Sequence, residues 1–473
     1  MRKTKIVCTL GPSTDEKETL REMILAGMDV ARLNFSHGTH AEHKVRADLI
    51  KQLREEMGVS LALMIDTKGP DIRVGRFDNN FQELRTGDLF TLTVENCLGD
   101  STRAYVTYGE LTKKLQAGDT VMLDDGLIEL RVEESNETEA VCRVLNGGII
   151  ANNKSLNVPG VKLDIPYMRE KDIEDINFAI DNDFDYVAAS FVRSYGDVWQ
   201  VRKILDARNA AHIKIISKIE NSEGIENINE IMDASDSIMI ARGDMGVEIP
   251  FFDLPVVQKL LIKKAMKGGN NAITATQMLE SMIKNPRPTR AEVSDVANAI
   301  YDGTSAIMLS GETSVGRYPV ETVRTMAKIA EVTERDIDYR KRFVQLDWDF
   351  PTSSFTDAIS HSICSTAYKL NNATILALTA KGDTARLVSR YRPERGFVAF
   401  THDPKVYHQL ALVWGCKPVL IEENEDLDYL FLTAVKQAKE AGLVKQGDTV
   451  VFTGSVPAVA TGGSNKMKIA VVD

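Results

Sequence analysis

The sequence predicts an α/β protein built on a (β/α)8 barrel, with an inserted all-β lid domain and a C-terminal α/β domain. Eight short apolar runs end in polar or charged residues, most are followed by a helix-like stretch, and one long interruption divides the series. The runs occupy residues 5–10, 30–34, 61–66, 186–191, 214–220, 238–242, 272–276 and 306–310. Because active sites of such barrels lie at the carboxyl ends of the strands, we expect the chemistry there. The polar residues at or just after these ends are Arg32, Asn34, Asp66, Lys218, Glu220, Asp244 and Thr276.

One interruption separates the third run from the fourth. The pair Gly69-Pro70 breaks the chain after the third run. Residues 70–166 then show short alternating runs with turn signals, which predict an all-β module. The barrel is therefore assigned to residues 1–69 and 167–340. An insertion that begins at the carboxyl end of a barrel strand emerges on the catalytic face. We interpret it as a lid that closes over substrate. A passive insertion at a tolerant loop is the alternative.

A third domain follows the barrel. A long helix-like stretch from Pro319 to Arg340 closes the barrel series, and βα alternation begins again further along the chain. Residues 341–473 are therefore assigned to an α/β domain. Its predicted elements are a helix at 356–370 and strands at 374–379, 396–401, 418–422 and 449–453, with helices between most of them.

The bulk composition limits the function. With 473 residues the chain is too long for one hydrophobic core, and 43 % hydrophobic with 26 % charged residues is ordinary for a soluble protein. A net charge of −11 argues against non-specific binding to nucleic acid or to an anionic membrane, but it permits a local cationic pocket. The five cysteines form no CxxC pair, which argues against a zinc site or a disulfide framework. The first apolar run is shorter than a signal-peptide core, so we expect a cytoplasmic protein.

The most informative pair of motifs contains Lys218-Ile219-Glu220 and Arg242-Gly243-Asp244, which end neighbouring predicted strands. Two carboxylates on adjacent strand ends can share a divalent cation, and oxygen ligands favour Mg²⁺ or Mn²⁺. Backbone N–H groups at Gly243 and Asp244 suit an anionic carboxylate or phosphate. The alternative is an ion pair between Lys218 and an acid that only closes the mouth of the barrel.

A second cluster lies at the ends of the second and third predicted strands. Alternation places Arg32, Asn34 and Ser36 on one side of an extended run, and an arginine there can bind phosphate in a fork geometry. Together with Asp66 and Thr67, Asn34 and Ser36 offer hard oxygen atoms that can hold a monovalent cation. Hydrogen bonds that only stabilise the loops are an equally open explanation.

Other candidate signals are weaker. Thr276 ends the seventh run, but a threonine is common in strands. His37, His40 and His43 are close together without a carboxylate cluster, so we interpret them as structural. The chain contains no G-x-x-x-x-G-K-[ST] run and no glycine-rich kinase loop, which means that any nucleotide is bound by other devices.

Eight motifs closely resemble those of the pyruvate kinase family, in its bacterial form. They are KTKIVCTLGP (3–12), RLNFSHG (32–38), DTKGP (66–70), SKIEN (217–221), ARGD (241–244), TQMLESM (276–282), NPRPTRAE (285–292) and MLSGE (308–312). The resemblance covers the whole barrel, the position of the inserted module and the C-terminal domain. It implies transfer of the phosphoryl group of phosphoenolpyruvate to ADP, which gives pyruvate and ATP in the last step of glycolysis.

The resemblance also implies roles for individual residues. Lys218 matches the lysine that stabilises the phosphoryl group, Arg32 the phosphate-binding arginine, and Thr276 the threonine linked to protonation of the enolate. Arg73 resembles an arginine that reaches the phosphoryl group when the lid closes. The implied substrate-binding residues are Arg32, Lys218, Gly243, Asp244 and Thr276, the Mg²⁺ or Mn²⁺ ligands are Glu220 and Asp244, and the K⁺ ligands are Asn34, Ser36, Asp66 and Thr67.

Two positions depart from the family pattern. Asp71 stands where the family commonly has Glu, and an acid there favours potassium dependence because potassium-independent members carry Lys. The loop 379–385 resembles the family's effector phosphate loop, with Lys381 in place of a serine and Asp383 close by. The resemblance therefore implies a phosphorylated-metabolite effector at Thr379, Lys381, Gly382 and Thr384, whereas a domain kept only for assembly is the alternative.

Three further possibilities remain at this stage. A metal-dependent lyase or aldolase on a similar barrel would also stabilise a pyruvate enolate, but it would need neither the lid nor Lys218. A non-catalytic metabolite sensor would not need the strand-end cluster at all. The family resemblance also implies a homotetramer, which the sequence itself does not show.

Overall fold

The computed structural model describes residues 2–349, 354–371, 373–455 and 464–473. Eight parallel strands form a closed barrel, and their order around the barrel follows the chain. They are Lys5–Thr9, Val30–Asn34, Ala62–Asp66, Tyr186–Ala189, Lys214–Ile219, Ser237–Ala241, Asn271–Ala275 and Ala306–Leu309. The last strand pairs with the first, with Ala306 opposite Lys5. The predicted (β/α)8 barrel is thus confirmed.

Helices surround the barrel. The long ones are Lys17–Ala26, His40–Met57, Glu170–Asp181, Tyr195–Ala207, Leu254–Gly268, Arg290–Asp302 and Pro319–Asp336, and short ones are Pro12–Thr14, Ser222–Glu226, Ile228–Ala234, Arg242–Glu248, Glu280–Ile283 and Gly311–Ser314. Two long helices begin with reciprocal caps: Thr39 with Glu42, and Thr289 with Glu292. Each cap satisfies backbone N–H groups that the first turn leaves without a partner, which fixes where the helix starts.

The inserted segment is an all-β module, as predicted, with one additional helical turn at Leu111–Lys114. Its strands are Ile72–Arg73, Phe81–Leu84, Leu89–Thr93, Arg103–Tyr105, Thr120–Leu123, Ile128–Ser135, Glu139–Asn146, Gly148–Ala151 and Ser155–Asn157, which form a seven-stranded and a two-stranded sheet. The module has its own apolar core, separate from that of the barrel. It reaches the barrel through Asn157 Nδ2, which donates to Glu248 Oε1 at 2.8 Å.

The C-terminal domain is a five-stranded sheet with helices. In spatial order its strands are Cys416–Leu420, Phe397–Thr401, Thr374–Leu378, Thr449–Gly454 and Lys466–Val471, and its helices are Phe355–Lys369, Asp383–Arg390, Pro404–Gln409, Leu410–Leu412 and Leu427–Glu440. The strand Lys466–Val471 was not predicted; it is antiparallel to its neighbour and lies at the sheet edge. The long helix after the barrel also ends earlier than predicted, at Asp336, and a separate helix follows at Tyr339–Asp349.

The amino end of the barrel is joined to the C-terminal domain by buried polar contacts. Lys405 Nζ lies 3.0 Å from Asp185 Oδ1, and Gln409 Nε2 donates to the backbone oxygen of Asp185 at 3.2 Å. Tyr186 donates its hydroxyl to the backbone oxygen of Gln409 at 2.7 Å. The helix Pro404–Gln409 is therefore fastened to the start of the fourth barrel strand, at the end of the barrel opposite the expected active site.

His408 at this junction is expected to reduce stability in mild acid. Burial, followed by the positive charge of Arg54, lowers the pKa of His408 from 6.5 to about 4. Between these two values the unfolded state binds more protons than the folded state, so the free energy of unfolding falls as the pH drops from about 6.5 to about 4. His408→Asn keeps an acceptor for the Leu61 N–H and is expected to flatten this dependence. Melting temperatures of both proteins from pH 7 to pH 4 test this, and parallel curves would contradict it.

None of the helices among the described residues is long and apolar enough to cross a membrane. All five cysteines are described, and each is a free thiol.

Candidate active site

A cavity of about 920 Å³ opens at the carboxyl ends of the barrel strands, beneath the inserted module. Predicted site residues that line it are Arg32, Asn34, Ser36, Arg73, Lys218, Glu220, Asp244 and Thr276. Asp66 and Thr67 lie directly behind this lining and are buried. Gly243 contacts the cavity wall through its N–H, which donates to Thr276 Oγ1 at 2.8 Å. The structure thus brings residues from distant parts of the chain to one face.

Strand alternation explains why these side chains converge. The barrel interior is filled by alternate residues such as Val30, Met64 and Ile216. Because side chains alternate along a strand, the residues two positions further on, Arg32, Asp66 and Lys218, face the same interior at its open end. The same period that fills the core with apolar groups therefore places charge where the core stops.

Lys218 is the centre of the cluster. Its Nζ lies 2.9 Å from Glu220 Oε1 and 3.1 Å from Asp66 Oδ1, and it donates to Ser190 Oγ at 2.7 Å. Burial alone would lower the pKa of Lys218, but the carboxylates of Asp66 and Glu220 outweigh it, so the pKa is raised. The ammonium group is therefore a permanent positive charge in the cavity wall.

Glu220 carries negative charge that this lysine only partly balances. Burial raises the pKa of the Glu220 carboxyl above its ordinary value; Lys218 opposes the shift and Asp244 adds to it. Glu220 Oε2 accepts the N–H of Phe191 at 2.6 Å, whereas Oε1 has no aligned hydrogen bond. Three carboxylates, those of Asp66, Glu220 and Asp244, thus surround the positive charges of Lys218 and Arg32. This excess of negative charge, together with the Glu220 Oε1 atom that lacks an aligned hydrogen bond, suits a divalent cation.

Arg32 and Asp66 form a second buried pair. Arg32 Nε donates to Asp66 Oδ2 at 2.6 Å, and Arg32 Nη1 donates to Thr9 Oγ1 at 2.8 Å. Burial would raise the pKa of Asp66, but the charges of Arg32 and Lys218 lower it. The Nε and Nη1 atoms of Arg32 therefore fix the guanidinium group in the wall of the cavity.

The predicted monovalent-cation ligands lie near this pair. Asn34 is opposite Asp66 in the strand register, and Asn34 Oδ1 accepts the N–H of Ser36 at 3.1 Å. Thr67 Oγ1 accepts the N–H of Ser190 at 3.3 Å. The loop-stabilising hydrogen bonds are therefore present, and the monovalent-cation site stays a prediction.

Thr276 stands in a tight turn immediately after the seventh barrel strand. Its φ is +69° and that of the next residue, Gln277, is +53°. Its hydroxyl accepts the N–H of Gly243 and donates to the backbone oxygen of Ala275 at 2.6 Å. The hydroxyl is consequently oriented by two backbone groups beside Asp244.

The root of the inserted module is strongly charged. Asp71 Oδ2 lies 2.5 Å from Arg73 Nε and 3.3 Å from Lys68 Nζ, and Asp71 Oδ1 lies 3.0 Å from Arg169 Nη1. Burial would raise the pKa of Asp71, but hydrogen bonding from Arg73 and the charge of Lys68 lower it. Asp71 therefore anchors Arg73 at the rim of the cavity.

Two of the three clustered histidines, His40 and His43, have structural partners for their rings, whereas the exposed His37 lies at the cavity. His43 Nε2 lies 2.8 Å from the backbone oxygen of His37, and its ring stacks on Phe35 at 4.2 Å between centroids. His40 Nε2 lies 2.6 Å from Asp175 Oδ1. Among the described residues no three histidine, cysteine or acidic side chains are arranged to hold a metal ion by themselves, so a cation at Glu220 and Asp244 needs further ligands from water or substrate.

The predicted effector residues lie in the C-terminal domain, in the turn between Thr374–Leu378 and Asp383–Arg390. Gly382 has φ +88° and donates its N–H to Thr379 Oγ1 at 3.0 Å. Thr384 Oγ1 lies 3.0 Å from Ser464 Oγ, and Lys381 is exposed. Residues 456–463, which precede Ser464, are outside the described part of the chain.

Ser190 is a residue of the cluster around Lys218 that was not predicted from the sequence. Its hydroxyl accepts from Lys218, donates to the backbone oxygen of Thr67 at 2.6 Å and lies 3.2 Å from Asp66 Oδ1. The only signal was its position at the end of the fourth apolar run, where serine carries no charge to draw attention.

Two protein-family models match this chain. The model of the pyruvate kinase barrel domain matches residues 1–323, and that of the pyruvate kinase alpha/beta domain matches residues 357–470. The chain belongs to the pyruvate kinase family. Members of this family are phosphotransferases, and so is this enzyme.

Individual relatives align over the whole chain. A pyruvate kinase of Clostridium acetobutylicum is 45 % identical and covers 100 % of both chains, and one of Geobacillus stearothermophilus is 47 % identical over 100 % of this chain and 80 % of its own. The crystal structure of a pyruvate kinase from Cryptosporidium parvum superposes with a TM-score of 0.95 at 38 % identity, covering 100 % of this chain and 96 % of the other.

Proposed function

We propose that this enzyme transfers the phosphoryl group of phosphoenolpyruvate to ADP in the cavity described above, giving pyruvate and ATP. The observation that supports this assignment is one buried lysine, Lys218, within 3.1 Å of two carboxylates at the mouth of a barrel. Phosphoryl transfer needs positioning and neutralisation of charge more than covalent help. The cluster supplies both.

The divalent cation, Mg²⁺ or Mn²⁺, would be held by Glu220 and Asp244. The excess negative charge of the cluster and the unaligned oxygen of Glu220 fit such an ion. When bound, the cation would supply positive charge that neutralises the negative charge of the substrate. With only two protein carboxylates as ligands, the remaining positions are left to water and substrate oxygens.

Lys218 and Arg32 bind and neutralise the phosphoryl group. The Lys218 ammonium stays protonated because two carboxylates raise its pKa, so it meets the transferring group as a fixed charge. Arg32 presents a planar fork already fixed by Asp66 and Thr9. Arg73, at the root of the inserted module, adds a third cation when the module closes over the cavity.

Thr276 acts on the other end of the substrate, where the carbon skeleton takes up a proton after the phosphoryl group leaves. Its hydroxyl is fixed by Gly243 N–H and Ala275 O beside Asp244. The Gly243 N–H is already donated to Thr276, so of the two predicted groups the N–H of Asp244, in the first turn of the helix Arg242–Glu248, suits the substrate carboxylate.

A direct assay tests this function. ADP-dependent release of pyruvate from phosphoenolpyruvate, with equimolar ATP formed, is expected in the presence of Mg²⁺ and K⁺. A lyase or aldolase would cleave a carbon–carbon bond without ADP, and a metabolite sensor would show binding without turnover. Either of these results would overturn the proposal.

We further propose that the enzyme depends on K⁺, which Asn34, Ser36, Asp66 and Thr67 would hold. Replacing K⁺ by tetramethylammonium at equal ionic strength is expected to lower turnover about tenfold or more, because one preorganised charge is lost from the site. The acid at position 71 supports this, since it pairs with Arg73 and Arg169 instead of supplying a cation of its own. Full activity without K⁺ would contradict the dependence.

The turn at Thr379, Lys381, Gly382 and Thr384 is proposed to bind a phosphorylated metabolite. Its support is the exposed Lys381 beside a helix N-terminus, whereas the nearby carboxylates of Asp383, Glu422 and Glu423 oppose an anion. Activation at subsaturating phosphoenolpyruvate is the test. A flat response to several sugar phosphates and nucleotides would leave the domain with an assembly role only.

We also propose a cytoplasmic homotetramer. The exposed apolar side chains of Phe251, Phe252 and Val256, which are 76 %, 68 % and 69 % exposed, support an interface on the barrel. Light scattering that gives the mass of a single chain would contradict it.

A further inference from the structure

The turn that presents Thr276 is strained. Thr276 and Gln277 both have positive φ, +69° and +53°, although neither is glycine. A β-branched residue rarely adopts this conformation because its Cβ crowds the backbone. Such a turn persists only where its surroundings impose it. A neighbouring side chain imposes this conformation through hydrogen bonds to the turn.

The contacts identify Arg242. Its buried guanidinium donates through Nη2 to the backbone oxygen of Thr276 at 2.7 Å and through Nε to that of Ala275 at 3.3 Å. The same Nη2 lies 2.9 Å from Met278 Sδ. One planar group thus contacts the residues on both sides of the strained turn, in a fork geometry that a lysine cannot reproduce.

Arg242 is itself fixed from outside the turn. Its Nη1 lies 2.8 Å from Asp295 and 3.3 Å from Gln258 Oε1, which belong to two different barrel helices. Arg242 also directly precedes Gly243, whose N–H donates to the Thr276 hydroxyl. The guanidinium therefore links the turn that carries Thr276 with the turn that carries Asp244.

We infer that Arg242 is a positioning residue, anchored by Asp295, that fixes the Thr276 hydroxyl for proton transfer to the substrate carbon. In that step the O–H turns away from the Ala275 oxygen, gives its proton to the enolate carbon and regains one from solvent water. The inference rests on the role proposed above for Thr276. It requires no contact between Arg242 and substrate. Losing the fork should free the turn, so that the hydroxyl no longer occupies one place beside Asp244.

The test is exchange of the methyl hydrogens of pyruvate with D₂O, followed by NMR with Mg²⁺, K⁺ and ATP present. This reaction reports the proton-transfer step. Arg242→Lys is expected to slow exchange about tenfold, and Thr276→Ala to slow it about a hundredfold. The KM for ADP should stay within about twofold for both variants, because a change at one site usually alters a distant, independent site by no more than this. Asp295→Ala, which leaves Arg242 in place without its anchor, is the milder variant if Arg242→Lys does not fold.

Arg54→Lys is the matched control. Arg54 is also buried, donates to a backbone oxygen and pairs with an aspartate, Asp185, at 3.1 Å, but it lies at the other end of the barrel. It should lower the melting temperature without slowing exchange. Equal slowing by both arginine variants would mean a general structural effect and would overturn the inference.

The double variant Arg242→Lys/Thr276→Ala separates the remaining outcomes. If Arg242 acts through the hydroxyl, adding Arg242→Lys to Thr276→Ala should change exchange by less than about twofold. A further tenfold loss would show action elsewhere and overturn the inference alone. Normal exchange in Thr276→Ala would remove the proposed role of Thr276 and the inference with it, whereas absence of ADP-dependent turnover in the unmodified enzyme would refute the proposed function.

Discussion

Lys218→Met is expected to abolish phosphoryl transfer while leaving a folded protein that still binds Mg²⁺. The substitution removes the ammonium group that lies within 3.1 Å of both Asp66 and Glu220. Loss of one preorganised charge contact costs about 10²–10³ in rate. Methionine has a similar length, so the barrel mouth keeps its packing. The turnover of phosphoenolpyruvate and ADP, measured at saturating substrate, is the check.

The same variant should be less stable without metal. Breaking a buried pair leaves an uncompensated charge and typically costs about 3–5 kcal/mol. Asp66 keeps Arg32 at 2.6 Å, so Glu220 carries most of the loss. Because Mg²⁺ would supply the missing positive charge, the rise in melting temperature on adding Mg²⁺ should be at least as large as in the unmodified enzyme.

Lys5→Met is the control for burying a methionine in place of a lysine. Lys5 is also buried, donates to the backbone oxygen of Cys416 at 2.8 Å, and lies at the amino end of the first barrel strand. The pKa of Lys5 is lowered because burial outweighs the charge of Asp29, whereas the pKa of Lys218 is raised because its carboxylates outweigh burial. This control should lose stability and keep its turnover number. Near-normal turnover in Lys218→Met would refute the role of that lysine.

The sequence allowed the barrel and most of the site to be predicted because both follow from one periodicity. Strand alternation that places Ile216 in the core also places Lys218 at its open end. The strand Lys466–Val471 escaped prediction because it is an exposed edge strand in which lysines alternate with apolar residues and little is buried. Lysines of this kind protect an edge from pairing with other chains and hide the apolar pattern.

The details of the site that were not predicted depend on contacts between distant residues. Nothing in the local sequence distinguishes Ser190 from other strand-end serines, and its role appears only when Lys218 lies 2.7 Å away. Likewise, threonine is among the residues least expected at positive φ, so the turn at Thr276 contradicts local preference. It is imposed by Arg242, which lies on the preceding βα unit.

Glu220→Gln is expected to separate metal binding from stability, with opposite signs. Mg²⁺ affinity should fall by about 10²-fold or more, since loss of a residue that only supports a ligand already costs about 10–100-fold. Burial raises the pKa of Glu220, which means that its charged form destabilises the folded protein at neutral pH. Glutamine removes that charge, so the metal-free variant should melt no lower than the metal-free unmodified enzyme. Calorimetric titration with Mg²⁺ and thermal melts in EDTA measure the two effects.

Glu334→Gln is the matched control because Glu334 is also a buried glutamate but has a different role. Its carboxylate accepts the N–H groups of Lys3 at 2.8 Å and Thr4 at 2.6 Å, near the start of the chain. A glutamine there replaces one acceptor oxygen by a donor, which should cost about 1–3 kcal/mol and leave Mg²⁺ binding unchanged. The two glutamates should thus behave in opposite ways. Glu220 binds the cation and lowers the stability of the metal-free protein, whereas Glu334 stabilises the fold. A Glu220→Gln protein with undiminished Mg²⁺ affinity would mean that the cation is bound elsewhere, and the assignment of the cluster around Lys218 as the metal site would fail.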